Sequence, residues 1–365
     1  MATIKDVAHF AGVSFKTVSR VINRSPHVKD EVRQRVLRAA EALEYRPHHH
    51  ARHMRTQRSK VFGFIGDDIA TTPFAGQIIQ GAQEAALRRE MLLLTFNTGG
   101  SSKLENAAVQ MALERGVEGI IFAAMYHRSV RVPKDAFRLP LVLVDCFAPK
   151  SLAPSVVPDE FQGGYLATKL LLEKGHRRIA MINAGRKYPA AVGRLGGYRH
   201  ALAEFRIPAK PDLIKTGGWW QDDGYENAWA LFQHKQIPTA IFCVSDRIAM
   251  GAYDAAKEKG LRIPDDISIV GFDNQELLAA HSRPPLTTVR IPYFEMGAWA
   301  VERLIEGAAT NHPARVEPAK LPCPLVLRAS VGKPRWERSY RSSGVAEGKN
   351  GNERRELKPC PLHYH

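Results

Sequence analysis

Apolar residues near the start of the chain recur at helical spacing in three short blocks. Ile4, Val7, Ala8 and Ala11 share one face of a first helix, and Val18, Val21 and Ile22 share that of a second. Val32, Val36, Leu37, Ala40 and Leu43 predict the buried face of a third, over about residues 30–44. Thr3 with Asp6 three residues on predicts a cap for the first helix, Gly12 a left-handed stop, and Ser14 the cap of the second. Lys29 stands where the third helix needs its cap, a weaker choice, although Asp30 and Glu31 suit the positive end that follows. Two short helices joined by one tight turn form a helix-turn-helix. On the second of them Phe15, Lys16, Thr17, Ser19 and Arg20 are left facing outward.

The texture changes at Val61. Apolar runs predict strands at 61–65, 91–96, 119–123, 141–144, 179–183, 240–244 and 267–272. Amphipathic helices fall between them near 74–89, 104–115, 163–174, 195–205 and 248–259. This alternation predicts parallel sheets covered by helices on both faces.

Charge sharpens the division. The 365 residues carry a formal net charge of +15, and residues 1–60 hold 13 lysines and arginines against 5 acidic residues. Residues 333–365 hold 8 against 4, and the 272 residues between hold 31 against 28. Basic charge gathered in a small helical head is the footprint of phosphate binding, whereas the large middle is close to neutral. Cys146, Cys243, Cys323 and Cys360 form no C-x-x-C pair, so neither a disulfide framework nor a thiolate metal site is expected. With no apolar run of transmembrane length and no signal-peptide pattern, a cytoplasmic, nucleoid-associated protein is expected.

The head resembles that of the lactose-repressor/galactose-repressor (LacI/GalR) family of bacterial transcription regulators. Thr3-Ile4-Lys5-Asp6-Val7-Ala8, Ala11-Gly12-Val13-Ser14 and Thr17-Val18-Ser19-Arg20-Val21-Ile22-Asn23 carry the resemblance. Gly271-Phe272-Asp273-Asn274 and Arg283-Pro284-Pro285-Leu286-Thr287-Thr288-Val289 extend it through the middle. The resemblance implies an all-α helix-turn-helix head (1–46) and a hinge helix or linker (47–60). It further implies an α/β two-lobed, periplasmic-binding-protein-like effector domain (61–332) built from two doubly wound parallel sheets. Lobe crossings are expected near 157–162, 289–292 and 320–324, with a disordered tail from 333 to 365.

Such a protein reads double-stranded DNA, here a pseudopalindromic operator, as a homodimer. Lys16 and Arg20 are the expected base readers, Phe15 can meet a thymine methyl, and Thr17, Ser19 and Asn23 suit phosphates. In the hinge, Arg52 matches the family pattern, and Met54 stands where an apolar wedge, usually Leu, enters the minor groove. The nearby His48-His49-His50 run with His53 reads as a polar linker near phosphate, and no metal is expected. Leu357 and Leu362 cannot form a heptad seam, so a dimer is expected rather than a tetramer.

Effector-binding candidates sit where strands end and coincide with family positions: Phe74, Asp159, Arg194, Trp219, Asp273 and Tyr293. Aromatic faces beside Arg and Asp suit a sugar, through stacking and hydroxyl recognition. Ser245-Asp246 reads as a helix cap, and Arg247 adds a positive charge that either pairs internally or favours an acidic ligand. The expected function is a repressor of a carbohydrate-utilisation operon, released by a sugar-like inducer. A regulator that needs a purine or phosphorylated corepressor is the alternative. No cofactor is expected, and an enzyme is not: G-x-S-x-G, Walker and dinucleotide motifs are absent in suitable context.

Overall fold

The computed structural model describes residues 2–22, 25–45, 59–69, 72, 75–148, 153–307 and 317–334. Among the described residues the head holds three helices: α1 (Ile4–Phe10), α2 (Phe15–Ile22) and α3 (Asp30–Ala42). The Thr3 hydroxyl accepts from the Asp6 amide at 3.3 Å, and the Asp6 carboxylate accepts from the Thr3 amide at 2.7 Å, closing a reciprocal cap on α1. Gly12 takes φ +60°, a left-handed turn that needs no Cβ. The Ser14 hydroxyl then accepts from the Thr17 amide at 3.2 Å to start α2. Lys29 makes no side-chain cap bond, as its chemistry requires.

One expectation in the head is corrected. Leu37 is 43% exposed, and α3 buries Val36, Ala39 and Ala40 instead. The two alanines let α3 approach α1 and α2 closely, which turns the adjacent Leu37 outward.

The middle of the chain forms two six-stranded sheets. In the first lobe β1 (Val61–Gly66), β2 (Leu92–Asn97), β3 (Ile120–Ser129), β4 (Leu141–Phe147) and β5 (Ser155–Pro158) alternate with α4 (Ala75–Arg88) and α5 (Ser102–Glu114). After Pro158 the chain enters the second lobe. There α6 (Glu160–Glu173), β6 (Ile179–Ala184), α7 (Pro189–Glu204), β7 (Ile214–Gly217), α8 (Gln221–Phe232), β8 (Ala240–Cys243), α9 (Asp246–Glu258), β9 (Ser268–Asp273), α10 (Glu276–Ala279) and β10 (Thr287–Arg290) follow. It returns through α11 (Tyr293–Gly307) and β11 (Ala319–Leu321) and crosses a third time to β12 (Leu325–Val326).

Strand order is β11-β5-β4-β3-β1-β2 in the first sheet and β12-β10-β9-β8-β6-β7 in the second. Every neighbouring pair is parallel except β10–β12. β4, β6 and β8 and the first six residues of β3 are buried almost throughout, which is why they read as continuous apolar runs without alternation.

Helix pairing decides where the key side chains stand. Gly164 of α6 faces the backbone of Arg194, and Gly197 of α7 faces that of Phe161 and Tyr165. A Cβ at either position would collide with main chain, so the two helices meet backbone to backbone. This contact seats Arg194 in the interior.

Candidate functional site

Two regions carry the predicted chemistry. On α2 of the head, Phe15 is 56% exposed, and Lys16 and Arg20 are also exposed along the same helix. Thr17 and Ser19 are half-buried, and the Thr17 hydroxyl lies 3.0 Å from that of Ser14. Thr17 is therefore partly committed to the turn. Asn23, Arg52, Met54, the histidine run and Phe74 lie outside the described residues, as does the tail beyond Pro334.

The second region lies between the lobes, at the carboxyl ends of the strands. Arg194, one residue before the helix expected at 195–205, lies inside α7, because Pro189 starts the helix early. Its side chain is 3% exposed and its Nε donates to Glu160 Oε2 at 2.7 Å. Nη1 donates to the Val244 carbonyl and stands 3.6 Å from Asp273 Oδ1. The guanidinium lies over the Phe272 ring, 3.7 Å from its centroid, and 5.6 Å from that of Trp219.

Asp273 follows Phe272 at φ +107°, a left-handed conformation that turns the chain sharply at the end of β9. Burial pushes its carboxyl up to about 7; the Arg194 charge opposes that rise and Glu160 adds to it. Tyr293, at the start of α11, is 3% exposed and feels the charges of Asp145, Asp273, Arg194 and Glu160. Arg194, Trp219, Asp273 and Tyr293 are thus brought together. Asp159 is not part of this group: its carboxylate accepts from the Gln162 amide at 2.9 Å and caps α6. The residue that reaches Arg194 is the next one, Glu160.

The first lobe supplies residues that sequence reasoning missed. Asp67, just past β1, accepts from the Met125 amide at 3.0 Å and from Arg128 Nη2 at 2.6 Å. His127 Nδ1 stands 3.6 Å from Glu160 Oε1, joining β3 of one lobe to α6 of the other. Asp145, in β4 at φ +53°, is 1% exposed, and burial together with the Glu160 charge raises its carboxyl well above the ordinary range. Tyr126, Tyr188 and Trp219 form an edge-to-face series across the lobes, with centroid spacings of 6.5 and 5.5 Å. Asp67 and Asp145 end strands, so the strand-end rule that selected Asp273 had the signal to find them.

Four buried polar side-chain atoms have no hydrogen-bond partner among the described residues: His127 Nδ1, Arg128 Nε, Asp145 Oδ1 and Asn183 Oδ1. All belong to the carboxyl-terminal halves of β3, β4 and β6, in both sheets. Such atoms carry a desolvation cost that a ligand relieves by bonding to them. Asp246 behaves differently. It is fully buried but accepts from Thr288 Oγ1 at 2.6 Å and from the Gln275 amide at 2.7 Å, pinning the loop after Asp273. Ser245 caps α9 through the Ile248 amide at 3.2 Å, and Arg247 lies over Trp220, 4.7 Å from the ring centroid.

The raised Asp273 carboxyl sets a pH dependence. The folded protein keeps this proton up to about pH 7, whereas an unfolded chain releases it near pH 4. Between those values the native state binds more protons, so the unliganded protein loses stability as pH rises through that window. Asp273→Asn is expected to flatten the fall of Tm between about pH 4 and 7. Melting curves across that range check this, and an unaltered slope would exclude Asp273 as its source.

Among the described residues no helix is long and apolar enough to cross a membrane, and no group of three or more His, Cys, Asp or Glu is placed to hold a metal ion. Cys146, Cys243 and Cys323 are buried free thiols.

Comparison with known proteins follows the same division of the chain. Residues 3–48 match the model of bacterial regulatory proteins of the lacI family, and residues 168–331 match a periplasmic binding protein-like domain. The ribose operon repressor of Haemophilus influenzae is 37% identical over 306 residues, covering 84% of this chain and 92% of its own length. The HTH-type transcriptional repressor PurR of Vibrio atlanticus is 36% identical over 308 residues, covering 84% and 92%. Among solved structures, a lac repressor dimer bound to operator and the anti-inducer ONPF aligns with TM-score 0.72 and 27% identity, over 91% of this chain and 99% of that one. A complex of the regulator CelR with cellobiose aligns at TM-score 0.63 and 28% identity, over 90% and 100%.

Proposed function

The chain belongs to the LacI family of bacterial regulatory proteins, and from that premise we propose that it represses a carbohydrate-utilisation operon and leaves its operator when a small, uncharged sugar enters the cleft. It is a DNA-binding repressor and not an enzyme, it binds operator DNA and a small-molecule effector, and it acts as a dimer. On this reading Phe15, Lys16 and Arg20 of each protomer meet base edges in successive major grooves of a pseudopalindromic site. Thr17, Ser19, Asn23 and Arg52 position the backbone, and Met54 wedges the minor groove.

The observation that carries the sugar reading is the set of four buried polar atoms at the strand ends that make no hydrogen bond among the described residues, of which only His127 Nδ1 has an ionic contact, to Glu160 at 3.6 Å. Asn183 Oδ1 is an amide oxygen that only accepts, Arg128 Nε a guanidinium nitrogen that only donates, and the Asp145 carboxyl, which burial keeps protonated, and the His127 imidazole nitrogen can do either. A sugar hydroxyl donates and accepts at the same point, so a polyol satisfies the mixed set. Trp219 and Tyr188 offer ring faces and edges for its C–H surface.

Charge argues against a phosphorylated ligand. Arg128 and Arg194 are already held by the carboxylates of Asp67 and Glu160, at 2.6 and 2.7 Å. A phosphate placed there meets repulsion that no free cation of the pair offsets. The H. influenzae relative named a ribose operon repressor makes pentoses the first class to try.

A thermal-shift panel of free pentoses and hexoses, ribose 5-phosphate, hypoxanthine and guanine on the full-length protein tests this. A ligand at a hundred times its Kd stabilises by about 2.7 kcal/mol, a shift of several degrees. One free sugar is expected to raise Tm and to lower operator affinity. Stabilisation by a purine base or a phosphorylated sugar, with tighter operator binding, would replace this reading by the corepressor alternative.

A further inference from the structure

The three interlobe crossings line a second, open cavity of about 450 Å³ that shares no lining residue with the cleft. Its walls come from both lobes: Leu166 on α6, Arg290 at the end of β10, Glu295 on α11, and Leu321 and Leu325 on either side of the third crossing. The lining is apolar apart from Gln162 and one ion pair. Arg290 donates to Glu295 through Nη1 at 3.0 Å and Nη2 at 2.8 Å, and the two side chains are 34% and 45% exposed.

Two features mark this groove. Its volume near 450 Å³, with apolar walls and one half-exposed ion pair, suits a small molecule. The walls are also tied to the pivot. The Arg290 amide donates to the Pro324 carbonyl at 2.8 Å, and Gln162 Oε1 accepts from the Cys323 amide at 2.8 Å. Those bonds link α6, the second crossing and the third, the segments whose backbone must turn when one lobe rotates on the other.

We propose that this cavity is a second ligand site, for a small amphipathic carboxylate whose apolar body packs on Leu166, Leu321 and Leu325 while its carboxylate displaces Glu295 from Arg290. The exchange is cheap, because a half-exposed ion pair contributes about 1 kcal/mol or less and the guanidinium regains an equivalent partner. A ligand that touches both lobes at their pivot binds one rotation better than another and therefore biases the same equilibrium that the cleft ligand biases. The inference does not depend on which effector occupies the cleft.

The test uses 4-tert-butylbenzoate and its neutral amide as probes on the full-length protein, followed by isothermal titration and by operator binding. The acid is expected to bind about tenfold more tightly than the amide and to change operator affinity at least about twofold. Glu295→Gln frees Arg290 and is expected to tighten acid binding about two- to fivefold, and Arg290→Gln to erase the preference for acid over amide. Both side chains are partly exposed, and an unchanged melting temperature confirms that each variant is folded. Equal binding of acid and amide, or acid binding unaltered in both variants, would overturn the site. Acid binding that leaves operator affinity unchanged would overturn the coupling.

Discussion

Arg194→Met is expected to abolish the effector response and to destabilise the effector domain by about 3–5 kcal/mol. Both consequences have one cause. The guanidinium neutralises Glu160 at 2.7 Å and Asp273 at 3.6 Å in a site where all three side chains are almost wholly buried. Removing it leaves two carboxylates in a low-dielectric interior with their mutual repulsion unopposed. Denaturant midpoints measure the first effect, and operator binding with and without effector measures the second.

A companion variant separates stability from recognition. Glu160→Gln added to Arg194→Met removes one of the stranded charges and should recover part of the stability while the response stays absent. If the single variant responded to effector as the wild type does, the cleft would have to be placed elsewhere.

The second large effect belongs to the head. Lys16→Ala combined with Arg20→Ala is expected to reduce specific operator affinity by about 2–6 kcal/mol, from the loss of about 1–3 kcal/mol per base contact. Stability should hardly change, because both side chains are exposed on α2 and its packing rests on Val18 and Val21. Competition binding against operator and random DNA at several salt concentrations checks the assignment. A loss confined to operator DNA marks base reading; an equal loss on both, with a shallower salt slope, marks phosphate contact. Unchanged operator affinity would remove α2 from the groove.

The head was legible residue by residue because its information is local. Thr3–Asp6, Gly12 and Ser14 each act on neighbours within three or four positions, and each does in the structure what its chemistry predicts. Leu37 escaped for the opposite reason. Helical spacing puts it beside Val36 and Ala40, and only the approach of α1 and α2 over Ala39 and Ala40 decides which side is closed.

The cleft was legible in outline. The strand-end rule together with the family resemblance selected Arg194, Trp219, Asp273 and Tyr293, and the structure sets them around one another. Asp159, selected by the same rule, and Glu160 differ by one position at the start of α6. That single step separates a cap from a partner of Arg194. Nothing in the spacing distinguishes them, because the first turn of a helix can present either carboxylate inward. Asp67, His127, Arg128 and Asp145 are far from these residues in the chain, and only the packing of one lobe against the other makes them neighbours.

By itself, then, the sequence determined what depends on periodicity and on near neighbours: a capped helix-turn-helix, a run of buried parallel strands alternating with helices, and a basic head on a near-neutral body. It also carried the family, through motifs whose residues lie side by side. The tertiary structure decided which charges share an interior and which polar atoms are left to a ligand. Burial and long-range proximity set both, and these exist only once the two sheets close on a common cleft.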